Sequence, residues 1–135
     1  MYKRLTHVGI AVRNLDHASA VFSGLFGVPR EPAEEVPDQK VKVVFFQTGE
    51  SGIELLEPTS GDSPIGKFLE KRGEGVHHLS FEVEDIDEEI ERLEAEGFQL
   101  IDHTPRRGAG GYRIAFLHPK STNGVLIELS EKSPA

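Results

Sequence analysis

The chain has 135 residues and contains no cysteine. It therefore has neither a disulfide framework nor a thiolate metal ligand, so any metal site must use histidine and carboxylate side chains. No run of about 20 apolar residues occurs, and no membrane-spanning helix is expected. A patterned strand begins almost at Met1, which predicts that the chain has no signal peptide and is cytoplasmic.

Positive charge is also scarce, since 15 lysine and arginine residues stand against 23 aspartate and glutamate residues. The resulting net charge of −8 argues against a nucleic-acid partner, because such binding requires a positive field that displaces phosphate counterions. An anionic small molecule would have to be bound by a local cluster of basic side chains.

The chain repeats a pattern of strand followed by helix. Residues 6–12 and 77–83 both alternate apolar with smaller or polar residues, which predicts two similar strands. Asn14 and Asp85 are candidate N-caps of the helices that follow, and Gly27 and Gly97 are candidate ends. The apolar stripes of these helices are predicted to be Leu15, Ala18, Val21, Phe22 and Leu25 in one, and Ile86, Ile90, Leu93 and Phe98 in the other.

A pair of strands joined by a turn follows each helix, at 41–46 and 53–56 and again at 112–117 and 125–129. We therefore predict an α+β fold in one domain of residues 1–135, built from tandem βαβββ modules at about 1–58 and 75–131. A linker at about 59–74 contains a short helix near 65–69. Paired about a pseudo-twofold axis, the modules would form a cupped, mostly antiparallel mixed sheet with its helices on the outer face.

Strand alternation separates possible metal ligands from the residues that face the helices. His7 and His78 occupy matching positions in the first strand of each module, whereas His77 does not. Glu54 and Glu128 occupy matching positions in the last strands. Two imidazoles and two carboxylates suit one divalent transition metal such as cobalt, nickel, zinc or manganese. A single histidine or glutamate is more often a packed or solvated residue than a ligand, but here both types recur at matching positions. The other histidines, His17, His103 and His118, are interpreted as ordinary surface or loop residues.

Several segments of the chain carry a family pattern: His7–Val12, Glu54–Pro58, Asp62–Ile65 with Lys67–Leu69, Gly75–His78, Gly108–Gly111, Phe116–Ser121 and Gly124–Leu129. Together they resemble the vicinal-oxygen-chelate (glyoxalase-like) superfamily and, within it, the methylmalonyl-CoA epimerase family. The resemblance implies that His7, Glu54, His78 and Glu128 hold one divalent cation per chain, with cobalt as first candidate. It also implies an acyl-CoA substrate, a homodimer, and epimerisation at C2 by 1,1-proton transfer through a metal-stabilised enolate.

One departure from the family pattern concerns the base. Some of these epimerases carry glutamine at the position of Glu54 and a separate glutamate base at the position of Val43. Here the two carboxylates are Glu54 and Glu128, and whether Glu54 is ligand, base or both stays open. The CoA phosphates also need donors, and the candidates are Arg106, Arg107, Arg113, Lys120 and Ser121. Each of them is equally compatible with being an ordinary solvated loop residue.

Two alternative functions fit the same scaffold. The ligand order His, Glu, His, Glu also resembles that of lactoylglutathione lyase. An enzyme of that kind would act on the glutathione–methylglyoxal hemithioacetal. A non-catalytic binding protein of the superfamily would sequester a ligand. The Gly108–Gly111 and His118–Ser121 segments count against the lyase, and retention of all four ligands counts against the binding protein.

Overall fold

A computed structural model describes residues 1–133 of the chain. Contacts group these residues into two compact units: a central unit of residues 8–77, and a terminal unit of residues 1–7 with the described residues from 78 onward. The helices within the described residues are α1 (Leu15–Phe26), α2 (Pro64–Arg72) and α3 (Ile86–Ala95). The strands are β1 (Tyr2–Ala11), β2 (Glu34–Val36), β3 (Val41–Thr48), β4 (Ser51–Pro58), β5 (Gly75–Val83), β6 (Arg106–Arg107), β7 (Arg113–Leu117) and β8 (Ile127–Glu131).

The central unit contains strands in the order β2-β3-β4-β1. β1 runs parallel to β4, while β3 pairs antiparallel with both β2 and β4. Ile53 and Leu55 of β4 pack with α1, so the intervening Glu54 lies on the opposite face of the sheet. The core between α1 and the sheet comprises Val12, Leu15, Ala18, Val44, Phe46 and Leu55, with Ile10, Phe22, Phe26 and Ile53 packed against it.

Helix α1 begins and ends at the predicted residues, but its predicted apolar stripe is partly wrong. The side chain of Asn14 accepts a hydrogen bond from the backbone N–H of His17 at 2.9 Å, and Gly27 has a left-handed φ of 66°. Val21 and Leu25 are 50% and 69% exposed. The core-facing apolar residues of α1 are instead Leu15 and Ala18, which are buried, and Phe22 and Phe26, which are partly buried. Val21 and Leu25 lie roughly 80–120° around the axis from Leu15 at 3.6 residues per turn.

Strand β1 is divided between the units, and its residues up to His7 belong to the terminal unit. The strands of the terminal unit are in the order β1-β5-β8-β7-β6. β5 is parallel to β8, and β7 is antiparallel to β8 and β6. Helix α3 begins after Asp85, whose carboxylate accepts from the N–H of Glu88 at 3.1 Å. Ile127 and Leu129 belong to the core beneath α3, so Glu128 lies on the other face. The buried core is Val83, Ile86, Ile90, Leu93, Leu100, Ala115, Leu117 and Leu129.

The predicted α+β class is confirmed, as is the repeated order of elements. The chain runs β1-α1-β2-β3-β4 and then β5-α3-β6-β7-β8, with α2 in the predicted linker. The exact module boundaries stay a prediction. No helix within residues 1–133 is long and apolar enough to cross a membrane.

Candidate metal centre

Two histidine side chains meet inside the terminal unit. His7 lies on β1 and His78 on β5, and the two strands are linked where the Thr6 hydroxyl donates to the carbonyl oxygen of Ser80 at 2.9 Å. The Nε2 atoms of His7 and His78 are 3.1 Å apart, and the rings are nearly perpendicular at 82°. Both side chains are buried. Their nitrogen atoms therefore face one point in a site with little access to water.

Glu128 brings a carboxylate to the same point from β8. Its Oε1 lies 3.5 Å from Nε2 of His7 and 4.0 Å from Nε2 of His78. Two atoms bonded to one divalent ion at about 2.1 Å can be at most roughly 4.2 Å apart. All three separations satisfy this limit, so His7, His78 and Glu128 form a possible metal-binding site with nitrogen and oxygen donors.

Thr6 orients the imidazole of His7. Its Oγ1 lies 3.4 Å from Nδ1 of His7. Because the Thr6 hydrogen is already donated to Ser80, this oxygen can accept from an Nδ1–H but cannot donate to that nitrogen. The His7 tautomer that satisfies this contact keeps the lone pair on Nε2, which is the form that binds a metal. On the other side, the rings of His78 and Phe116 form a T-shaped contact, with centroids 5.6 Å apart.

Glu54 occupies the equivalent position in the central unit, where it is buried on β4. Its neighbours across the sheet are Gly9 in parallel register and Phe45 in antiparallel register. Burial lowers the pKa of the nearby His77 to about 4, against the opposing effect of the Glu54 charge. The His77 ring packs edge-on against Phe68, with centroids 4.9 Å apart.

The position at which the family resemblance implies a separate base in some members is apolar in this chain. Val43 lies on β3, two residues before Phe45 and therefore on the same face of its sheet. Its side chain is buried. This position supplies no proton acceptor.

The predicted phosphate-binding residues divide into two groups. Arg113 contacts Asp87 at 2.9 Å and Glu131 at 3.6 Å. Arg106 lies 3.3 Å from Asp102, and the Ser121 hydroxyl accepts from the N–H of Gln99 at 2.8 Å. Within residues 1–133, Arg107 and Lys120 are exposed and no ion pair engages them. The charges of this second group are therefore not neutralised by an ion pair among the described residues.

The loop between these basic residues depends on glycine. Gly110 and Gly111 have positive φ angles of 67° and 77°. A β-carbon at Gly108 would lie 2.8 Å from the side chain of Ile114. Two of the three remaining histidines make local side-chain contacts: His103 pairs with Glu94, and His118 accepts from the N–H of Lys120 at 3.1 Å. The third, His17, is exposed.

The contributions of Thr6 and Ser80 were missed by the sequence prediction. Alternation places Ser80 on the same face as His78, but a serine in a strand carries no signal for a role in a site. The contact of Thr6 with both strands depends on their pairing, which no local pattern encodes.

Comparison with known proteins assigns the family. Residues 6–116 match the model of the Glyoxalase/Bleomycin resistance protein/Dioxygenase superfamily. The ethylmalonyl-CoA/methylmalonyl-CoA epimerase of Cereibacter sphaeroides is 41% identical and aligns over 97% of this chain and 99% of its own length. A variant of Streptomyces coelicolor methylmalonyl-CoA epimerase in complex with 2-nitronate-propionyl-CoA is 37% identical, with a TM-score of 0.93 and coverage of 99% and 100%.

A second solved structure is a methylmalonyl-CoA epimerase in complex with methylmalonyl-CoA and NH4+. It is 36% identical to this chain, with a TM-score of 0.91 and coverage of 98% of this chain and 96% of that one. These similarities confirm the predicted resemblance. The chain belongs to the Glyoxalase/Bleomycin resistance protein/Dioxygenase superfamily.

Proposed function

We propose that this chain interconverts the two epimers of methylmalonyl-CoA by removing a proton from C2 and returning one to the opposite face. A relative of nearly equal length is named for this activity, and a similar solved structure binds methylmalonyl-CoA. The observation that carries the proposal is the convergence of His7, His78 and Glu128. Deprotonation beside a thioester requires an electrophile for the carbonyl oxygen, and these donors suit a cation that would supply it.

The proposed site binds one divalent cation through His7, His78, Glu128 and Glu54. Strand alternation supports Glu54 as the fourth ligand. Glu54 is opposite Gly9 in the parallel β1–β4 pair, and Gly9 is two residues from His7 on the same strand. The side chains of Glu54 and His7 therefore leave their strands on the same face. Cobalt is the first candidate by family resemblance, and nickel, zinc and manganese also suit two imidazoles with two carboxylates.

A bound cation would stabilise the negative charge that develops on the thioester oxygen, an effect of several kcal/mol. The proton itself is assigned to Glu54 and Glu128, one acting as base and the other, in its protonated form, as acid. A carboxylate held beside a cation is a weakened base, because the cation favours its ionised form. The glutamate that takes the proton must therefore turn away from the other ligands during turnover.

The two carboxylates of this site replace the arrangement in which a separate glutamate acts as base. Because Val43 cannot accept a proton, Glu54 and Glu128 are the acidic residues available in the proposed pair. Glu54 then acts both as ligand and as proton carrier. This double role is the main respect in which the chain departs from glutamine-containing members of its family.

The CoA phosphates are assigned first to Arg107 and Lys120, whose charges are not used in ion pairs among the described residues. Arg106, Arg113 and Ser121 are retained as further candidates, since a ligand could displace their present partners. The exposed positions of Arg107 and Lys120 suit a phosphate that reaches them from solvent.

The decisive experiment measures entry of solvent deuterium at C2. The protein is loaded with cobalt, incubated with a single epimer of methylmalonyl-CoA in deuterium oxide, and sampled by mass spectrometry and proton NMR. Incorporation of deuterium together with formation of the other epimer is expected. Absence of both would refute the proposed reaction.

Parallel measurements distinguish the alternatives. Conversion of the glutathione–methylglyoxal hemithioacetal without exchange at C2 of methylmalonyl-CoA would identify a lactoylglutathione lyase. Binding of methylmalonyl-CoA without turnover would identify a non-catalytic member. A homodimer is also proposed from the family resemblance, and light scattering of the purified protein tests it. A cytoplasmic location is a separate proposal.

A further inference from the structure

Ser80 carries a hydroxyl group whose place in the terminal unit is unusual. Its side chain is 0% exposed, and its Oγ has no hydrogen-bond partner within residues 1–133. A buried hydroxyl without a partner costs free energy that an alanine of nearly the same shape would not. The serine is therefore expected to have a partner in another state of the site.

Glu128 is the acidic residue that the β5–β8 pair places beside Ser80. The two residues are direct partners in the parallel register, so their side chains leave neighbouring strands on the same face. Strands in a sheet are about 4.8 Å apart, which brings a glutamate carboxylate within reach of the hydroxyl after a change of rotamer. In the present rotamer, Oε1 of Glu128 is directed at His7 and His78.

We propose that Ser80 is a positioning residue whose hydroxyl donates a hydrogen bond to Glu128 when that carboxylate turns from the imidazoles to exchange the proton at C2. The inference rests on the proposed function. In the exchange, the C2–H bond breaks, an O–H bond forms on one oxygen of Glu128, and the electron pair delocalises toward the thioester oxygen. Ser80 binds the other oxygen of Glu128 and fixes its position for the return of the proton.

The test compares Ser80→Ala with the wild-type enzyme loaded with the same metal. Loss of a hydrogen bond to a charged group predicts a roughly ten- to hundredfold lower kcat, with KM and metal content unchanged. Deuterium entry should slow more from one epimer than from the other, because Glu128 serves one face of C2. The melting temperature should stay equal or rise, since an unsatisfied hydroxyl has been removed. Ser80→Thr, which keeps the hydroxyl, should recover most of kcat.

Ser130→Ala is the matched control. Ser130 is 2% exposed and lies two residues after Glu128, but its hydroxyl already donates to the carbonyl oxygen of Phe81 at 3.3 Å. Its removal should lower stability and leave kcat unchanged. If Ser80→Ala misfolds, Ser80→Cys replaces it, because cysteine is nearly isosteric with serine and a weaker donor. This variant should also lower kcat, but by a smaller factor than expected for alanine.

The outcomes separate this inference from the proposed function. If the wild-type enzyme exchanges the C2 proton and the Ser80→Ala variant does so as fast as wild type from either epimer, the role of Ser80 is refuted while the function stands. An equal loss of kcat in the Ser80→Ala and Ser130→Ala variants would refute it as well. If the wild-type enzyme does not exchange C2, the proposed function fails first and this inference fails with it.

Discussion

The carboxylates of Glu54 and Glu128 occupy equivalent places in the two modules but have different neighbours. Each lies opposite a phenylalanine on the adjacent antiparallel strand, Phe45 for Glu54 and Phe116 for Glu128. On the parallel side, Glu54 is beside Gly9, whereas Glu128 is beside Ser80. Both modules thus place a phenylalanine ring on the antiparallel side of the glutamate. On the parallel side, the neighbour is a glycine without a side chain in one module and a serine in the other. Two glutamates of common pattern therefore have different surroundings, as the proposed base and acid would require.

The two phenylalanines are also held differently. A β-carbon at Gly52 would collide with the ring of Phe45, so that ring lies directly against the glycine backbone of β4. The ring of Phe116 instead forms a T-shaped contact with the ring of His78. The terminal unit therefore supports its histidine with an aromatic contact, while in the central unit Phe45 packs on the strand that carries the carboxylate. Changes to the two glutamates should consequently have unequal effects.

Glu128→Gln should have the largest effect. Glutamine keeps the shape of the side chain but cannot accept the proton, so epimerisation should fall about a thousandfold or more. Deuterium entry at C2 measures the loss. Melting temperature serves as the control and should remain close to wild type. Because Glu128 is also a proposed ligand, metal content is measured alongside and the rate is compared per bound metal. Near-normal turnover by this variant would defeat the assignment of Glu128.

Glu54→Gln tests the other half of the comparison. If Glu54 is a proton carrier as well as a ligand, the rate should fall several hundredfold even with the metal retained. Exchange measured separately from each epimer should be impaired in the opposite sense to Glu128→Gln, since the two groups serve opposite faces. Full activity with bound metal would show that Glu54 is a ligand only and that another base exists.

The sequence predicted the faces of the strands better than the faces of the helices. In a strand the alternation has a period of two, so Glu54 between Ile53 and Leu55 could be assigned unambiguously. In α1 the apolar residues outnumber the positions that the core can cover, and Val21 and Leu25 were wrongly assigned to the stripe. Local composition cannot decide which part of a broad apolar surface packs, because the sheet beneath the helix decides it.

The partners of the site residues depend on pairing across the chain. Ser80 and Glu128 are 48 residues apart in the numbering, and only the register of β5 with β8 makes them neighbours. Thr6 likewise reaches Ser80 through the packing of distant strands. The sequence repeat could indicate equivalent positions, but it carried no information on these contacts between strands.

A buried leucine on α3 and an exposed leucine on α1 provide a test of stability. Leu93 lies in the core of the terminal unit, whereas Leu25 is 69% exposed. Leu93→Ala should lower the free energy of unfolding by about 3 kcal/mol through lost burial and a residual cavity. Leu25→Ala, the same chemical change, should cost less than about 0.5 kcal/mol. Urea unfolding measures both, and an equal loss at Leu25 would indicate that a second copy covers it in solution.

Effects smaller than that of Leu93→Ala are predicted at the two helix caps, which compare the modules at their most similar point. Asn14 accepts from the N–H of His17 at 2.9 Å, and Asp85 accepts from that of Glu88 at 3.1 Å. Asn14→Ala and Asp85→Ala should each lower the free energy of unfolding by about 1 kcal/mol, because a helix N–H then loses its partner. Asn14→Asp and Asp85→Asn keep the acceptor and should restore most of the loss in urea unfolding. A cap whose alanine variant is as stable as wild type would show that its helix is held by packing alone, and the two modules would then differ even where their sequences agree.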